Sequence, residues 1–393
     1  MSNFLFLLLL CVSSVFLLLS QIQAATLPSD INALKAFKAS INPNSIPSWS
    51  CLGSWNFSFD PCSLPHRSYF VCGISCSPDS TRVTSLVVDP VGYSGTLTPL
   101  LSQLTQLTQL ELSDNSFYGT IPSSIFSLTS LEILSLRSNY FSGNIPPSLT
   151  NLTSLQSLDI SNNAFTGTLP VTLSSLSSLT SMDLSFNKLT GSLPKLPPNL
   201  VQLALKANSL SGSLSQSSFE GLTQLEVVEL SANRLTGDVQ GWFFLLPSLQ
   251  QVDLANNSFT SVEIWKPGNA NNSELVAVDL GFNKLEGYLP INLASFPKLS
   301  AVTLRYNRFR GPIPWDYYKK VRDQNLRRLF LDGNFLNGKP PAGFFVAGGS
   351  GSSVVGSFGD NCLASCPASS QLCLPSQKPT SMCRQVYGHK PSL

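Results

Sequence analysis

Leu107-x-x-Leu110-x-Leu112-x-x-Asn115-x-Phe117-x-Gly119-x-Ile121-Pro122 is the stretch that decides how this chain folds. The spacing returns from Leu131, with Asn139, Phe141, Gly143, Ile145 and Pro146. It returns again from Leu155, with Asn163, Phe165, Gly167, Leu169 and Pro170, each step being 24 residues. Further starts fall at Leu179, Leu200, Leu225, Leu249, Leu275, Leu299 and Leu326. A degenerate first copy starts at Val83, with Leu86, Val88 and Gly95 and with Val91 in place of Asn, which makes eleven copies. In L-x-x-L-x-L alternate residues point inward, so each copy contributes one short strand. The Asn that follows turns the chain and can bond backbone groups of its own and the neighbouring copy. Asn115, Asn139, Asn163, Asn187, Asn208, Asn233, Asn257, Asn283, Asn307 and Asn334 are therefore expected to form a buried ladder, intolerant of change because a buried amide without partners costs roughly 1–3 kcal/mol. No copy can bury its apolar face alone; stacking them gives one long parallel sheet over a continuous core.

Composition narrows the function. Hydrophobic residues are 42% of the 393, which excludes a wholly disordered chain, whereas charged residues are only 12%, about half the usual ~25%. A net charge of +2 argues against a wholesale nucleic-acid binder. The two histidines, His66 and His389, lie near the chain ends, which argues against a His-based catalytic triad or a His-rich metal site in the main body. Phe4 to Leu19 is an apolar run followed by small residues. Residues 1–24 read as a secretion signal, cleaved after Ala24. No later run reaches the ~20 apolar residues of a transmembrane span, and the polar, basic C-terminal tail is unlike a lipid-anchor signal.

Cysteine usage agrees with export. With Cys11 removed in the signal, Cys51, Cys62, Cys72 and Cys76 form one cluster and Cys362, Cys366, Cys373 and Cys383 another, with none between. An even number in an exported chain reads as disulfides rather than a zinc site, paired within each cluster, although three pairings are open in each. The ends of a stacked array expose core and must be covered. Residues 25–82 are expected to cap one end and residues 359–393 the other, around repeats at 83–346. The Gly/Ser-rich stretch 347–358 reads as a flexible link.

These residues resemble the leucine-rich repeat, in its plant extracellular subtype. The mark of the subtype is Leu/Phe-x-Gly-x-Ile/Leu-Pro after the Asn, as in Phe141-Ser142-Gly143-Asn144-Ile145-Pro146. The segment Asp30-x-x-Ala33-Leu34-x-Ala36-Phe37-Lys38, then Ser48-Trp49, Asp60-Pro61-Cys62, Gly73-Ile74-Ser75-Cys76 and Arg82-Val83, is similar to that family's N-terminal cap, with Cys51 and Cys72 looking like an extra pair. The resemblance implies an α/β repeat solenoid: a curved right-handed arc with the long parallel sheet on its concave face, few regular helices on its back, and disulfide caps at both ends. It also implies a receptor-like ectodomain that binds a peptide, protein or cell-wall ligand outside the cell. A membrane receptor kinase would then supply any signalling.

The concave face carries two features. The central strand position gives Glu111, Ser135, Asp159, Asp183, Ala204, Glu229, Asp253, Asp279 and Thr303, six of nine acidic. Such a stripe is a common form of this repeat and is also a path for a basic partner. Arg305, Arg308, Arg310, Lys319, Lys320, Arg322, Arg327 and Arg328 make the last copies basic, and Trp315-Asp316-Tyr317-Tyr318-Lys319-Lys320 stretches one copy to 27 residues. Aromatic and Arg side chains are the usual anchors of interfaces. The expected ligand-binding residues are accordingly Asp253, Asp279, Phe282, Arg305, Tyr306, Arg328 and Phe330. Lys319, Lys320 and Arg322 are the candidates if the partner is pectin. Sequons stand at Asn56, Asn151, Asn256 and Asn271, and Asn256, beside Asn257, is expected to be the most enclosed.

Three readings of function remain at this point. One is a secreted recognition protein in extracellular signalling or defence. Another is a secreted inhibitor of microbial wall-degrading enzymes, from the similarity in length and repeat number to the polygalacturonase-inhibiting proteins. The third is a structural wall module attached to pectin. No nucleophile motif, metal-ligand cluster or cofactor signature is visible, so neither an enzyme nor a cofactor is expected.

Overall fold

The computed structural model describes residues 25–63, 72–268, 273–345 and 354–388. The signal segment, His66, His389, the sequon at Asn271 and most of the Gly/Ser stretch lie outside the described residues.

Each L-x-x-L-x-L segment forms a short strand, and these strands build one thirteen-stranded sheet. It starts with Ile74–Cys76, antiparallel to Val83–Val87, and is parallel from there to Val355–Ser357. Register follows the repeat: Leu110 pairs with Leu134, and Leu134 with Leu158. These leucines are buried in one continuous core that runs from the N-terminal helix to the C-terminal cysteines.

The asparagine ladder is present at all ten positions. Asn139 is typical: Nδ2 donates to the carbonyls of Leu112, Leu136 and Arg137, at 2.9, 3.1 and 3.1 Å, and Oδ1 accepts from the Phe117 N–H at 2.9 Å. The amide thus ties its own turn to the preceding copy. The residue before it is left-handed in copy after copy, at φ 57° for Asp114 and 53° for Ser138.

The Phe-x-Gly-x segments, read from sequence only as a family mark, form two further sheets of eight and four strands. The Phe or Leu of each turns inward. Phe117, Phe141 and Phe165 stack at 6.2 and 6.4 Å, and Phe37 of the helix Pro28–Ala39 continues the stack at 6.1 Å. The glycine is needed twice over at Gly143: φ is +84°, and a Cβ there would lie 2.8 Å from Thr120 Cγ2.

The back of the arc is mostly short 3-10 turns, such as Ser123–Ser127 and Pro147–Asn151. The inserted Trp315–Arg322 is an α-helix there.

Both caps are closed by disulfides within their own cluster: Cys51–Cys72 and Cys62–Cys76, then Cys362–Cys383 and Cys366–Cys373. The N-terminal cap is also held by charge. Buried Asp30 accepts two hydrogen bonds from Arg82, both 3.1 Å, and one from the Val83 N–H at 2.9 Å. At the other end the structure corrects the expected link. Val355–Ser357 is a strand of the main sheet, and buried Asn361 adds an eleventh rung, donating to Leu331 O and accepting from the Leu336 N–H, both at 2.9 Å. The solenoid therefore runs one turn beyond the recognised copies. The signal was faint because Gly356 replaces the central leucine; a Cβ there would lie 1.9 Å from the Leu329 carbonyl oxygen.

Candidate binding face

The acidic stripe is first a local structural device. Asp159, Asp183, Asp253 and Asp279 each accept the N–H two residues on through Oδ1, at 3.0, 2.8, 3.1 and 2.8 Å, and so close their own turns. Register sets Asp159 directly opposite Asp183 and Asp253 directly opposite Asp279. Burial, followed by the like charge of the partner, pushes the Asp159 and Asp279 carboxyls above their ordinary range. None of the four is in an ion pair among the described residues, whereas Glu229 is paired with Lys206.

Further along the face, four of the expected anchors meet. The rings of Phe282 and Tyr306 stack with centroids 4.6 Å apart and planes 16° apart. Both residues are left-handed, at φ 54° and 51°, and both stay open to solvent, at 49% and 40%. The Arg305 guanidinium carbon lies 5.6 Å from the Tyr306 ring centre and 5.1 Å from that of Phe330, within cation–π range of both. A residue the sequence reading missed fixes this arginine: fully buried Asp332, whose Oδ2 accepts from Nη2 at 2.8 Å and Nε at 3.2 Å. In the nine other ladder copies this position is Ser four times and never an acid, so an acid there next to a basic copy was the available signal. Asp279 adjoins this group, since a Cβ on Gly281 would lie 3.1 Å from its Oδ1 and 3.2 Å from Arg305 Cγ. Asp253 is one strand further away. Arg328 is exposed and makes no ion pair among the described residues.

The pectin candidates do not form an open basic face. Lys320 is only 7% exposed, and its amine donates to the carbonyls of Phe296 and Pro297, at 2.6 and 3.3 Å; burial pushes its pKa down. Lys319 lies 3.7 Å from Asp316 and Arg322 2.9 Å from Asp323. Of the described sequon asparagines, Asn56, Asn151 and Asn256 are all exposed, so Asn256 is less enclosed than expected. It projects from the left-handed position while Asn257 turns into the ladder.

The sulfurs of Cys51 and Cys72 gather near the Asp89 carboxylate. They are joined in a disulfide, and Asp89 already accepts from the Cys51 N–H and the Tyr93 hydroxyl. No helix among the described residues is long and apolar enough to cross a membrane.

A solenoid of this kind, with a strip of parallel strands and an exposed aromatic–arginine cluster, defines an extended binding scaffold. The chain belongs to the leucine-rich repeat family: the model of the leucine-rich repeat region matches residues 91–339. Receptor-like protein 18 of Arabidopsis thaliana is 38% identical over 31% of this chain and 22% of its own length, so the chain spans only a fraction of that relative. Among solved structures, the crystal structure of PEPR1-AtPEP1 aligns with a TM-score of 0.74 at 30% identity, covering 86% of this chain and 46% of that one. The Arabidopsis GASSHO1/SCHENGEN3 receptor kinase ectodomain, in complex with Casparian strip integrity factor 2, aligns with a TM-score of 0.71 at 30% identity, covering 81% and 36%.

Proposed function

We propose that this chain is a secreted recognition protein that binds an extracellular peptide or protein through the C-terminal half of its concave face, with a membrane receptor kinase as signalling partner. The observation that carries this reading is the Phe282–Tyr306 stack beside an arginine held in place by buried Asp332. Exposed rings at left-handed positions gain little from the core, and a pre-organised arginine loses little entropy on binding. The stripe of unpaired carboxylates beside the cluster favours a partner with basic groups and makes association salt-sensitive. The solved neighbours lend support: one is the ectodomain of a plant membrane receptor kinase in complex with Casparian strip integrity factor 2, and the other pairs PEPR1 with AtPEP1. No enzymatic role is proposed.

The test is affinity capture from extracellular fluid with the wild type, with Phe282→Ala/Tyr306→Ala and with Lys319→Glu/Arg322→Glu. A peptide or receptor kinase held by the wild type and the charge-reversed form, and lost by the aromatic double variant, is the expected result. Capture of a microbial pectinase would favour the inhibitor reading. A partner indifferent to both variants places the site elsewhere. Pectin attachment is the weakest reading, because Lys320 is buried and its two neighbours are paired.

A further inference from the structure

The flank formed by the eight-stranded sheet differs in chemistry from the concave face. After Ser94–Gly95 its next five strands are Ser116–Gly119, Tyr140–Asn144, Ala164–Thr168, Lys188–Gly191 and Ser209–Gly212, and Lys188 is their one charged residue. Tyr118 and Tyr140 are register partners on adjacent strands, 51% and 67% exposed. Among the described residues neither ring packs on another ring and neither hydroxyl is hydrogen-bonded. Next to them the surface continues as small polar side chains. Asn144 is opposite Thr166, whose Oγ1 donates to Asn144 Oδ1 at 3.0 Å, and Thr168 is opposite Thr190.

The geometry points to a second binding surface on this flank, for a neutral polysaccharide chain such as a wall β-glucan. Two free tyrosine rings on neighbouring strands, spaced about 4.8 Å apart at the backbone, give a platform that is apolar in its body and polar at its tip. Such a platform matches sugar rings, which present an apolar C–H face edged by hydroxyls. The hydroxyl and amide groups beyond it extend the contact with oxygen acceptors and the Asn144 amide N–H. The scarcity of charge argues against a polyanion and against the basic partner that suits the concave face. Pairing of the strands fixes the backbone spacing of these groups, so successive sugar units meet them at a constant interval.

The test is retention of the full chain on immobilised xyloglucan, with immobilised polygalacturonate as the comparison. The wild type should be retained on xyloglucan and should stay bound in about 0.5 M NaCl, where surface charge is screened. Tyr118→Ala/Tyr140→Ala should lower the affinity about tenfold with an unchanged melting temperature, because both side chains are exposed. Thr168→Lys, a separate surface change, should also weaken it. Phe282→Ala/Tyr306→Ala should leave it intact. Absence of retention, loss of retention in salt, preference for polygalacturonate, or binding indifferent to both flank variants would overturn the assignment.

Discussion

Arg305 donates both of its ion-pair hydrogen bonds to a single oxygen, Oδ2 of Asp332, and the other oxygen, Oδ1, is buried without a hydrogen-bond partner among the described residues. The carboxylate therefore depends on one arginine for its compensation. The same arginine lies against Tyr306 and Phe330, so the stability of the last copies and the shape of the binding face are coupled.

Arg305→Ala should destabilise the protein by about 2 kcal/mol. This is below the ~3–5 kcal/mol of a fully buried pair because the arginine side chain is 34% exposed. Urea unfolding measures it. Asp332→Ser placed on the Arg305→Ala background should recover part of the loss, since no buried charge remains. A double variant as unstable as the sum of the singles would deny the coupling.

Asn283→Ala removes an acceptor for the Phe259 N–H and donors to the carbonyls of Leu254, Leu280 and Gly281. Stranding several buried backbone groups should cost about 3 kcal/mol, read as a lowered midpoint in a denaturant titration. Alanine at exposed Asn256 should cost little by this mechanism.

Asp279→Asn should stabilise at neutral pH. Burial, then the opposing Asp253, holds the Asp279 carboxyl above its ordinary range, so the folded state takes up this proton more readily than the unfolded state. That contribution is present below the unfolded pKa and is lost as pH rises through the folded one. Asparagine keeps an acceptor for the Gly281 N–H and removes the like charge. The gain at pH 7 should be several tenths of a kcal/mol, up to about 1, and should fade below about pH 3.5, where wild-type carboxyls are protonated. Melting temperatures of the two proteins across pH 3–7 would show the difference widening with pH.

Lys320→Ala should lower the melting temperature by several degrees, because the Phe296 and Pro297 carbonyls lose their donor. Lys319→Ala, at an exposed pair, should change it little. Equal effects would contradict the burial of Lys320.

Much of this was legible in the chain because the repeat is local and periodic. Leu110, Leu134 and Leu158 face inward in any stack that keeps the register, and every recognised ladder asparagine is where its spacing from the preceding leucine put it. Pairing of the cysteines within their clusters followed from the long interval between them. The last turn was missed because Gly356 and Phe358 stand where leucines are expected, although Asn361 keeps the spacing of three residues from Phe358 that Asn334 keeps from Leu331.

Sequence by itself determined the strand positions of the recognised copies and the repeat register, because those depend on side-chain periodicity within a copy. Tertiary structure alone decided the rest. Whether a lysine is a surface cation or a buried donor depends on carbonyls 23 and 24 residues away, as for Lys320. Whether an arginine is free depends on a carboxylate one copy further on, as for Arg305. The flank sheets arise only once neighbouring copies align Phe-x-Gly-x segments across the stack, as Tyr118 is aligned with Tyr140. Desolvation and pairing are set by neighbours that the chain brings together only on folding, and a pattern read within one copy does not contain them.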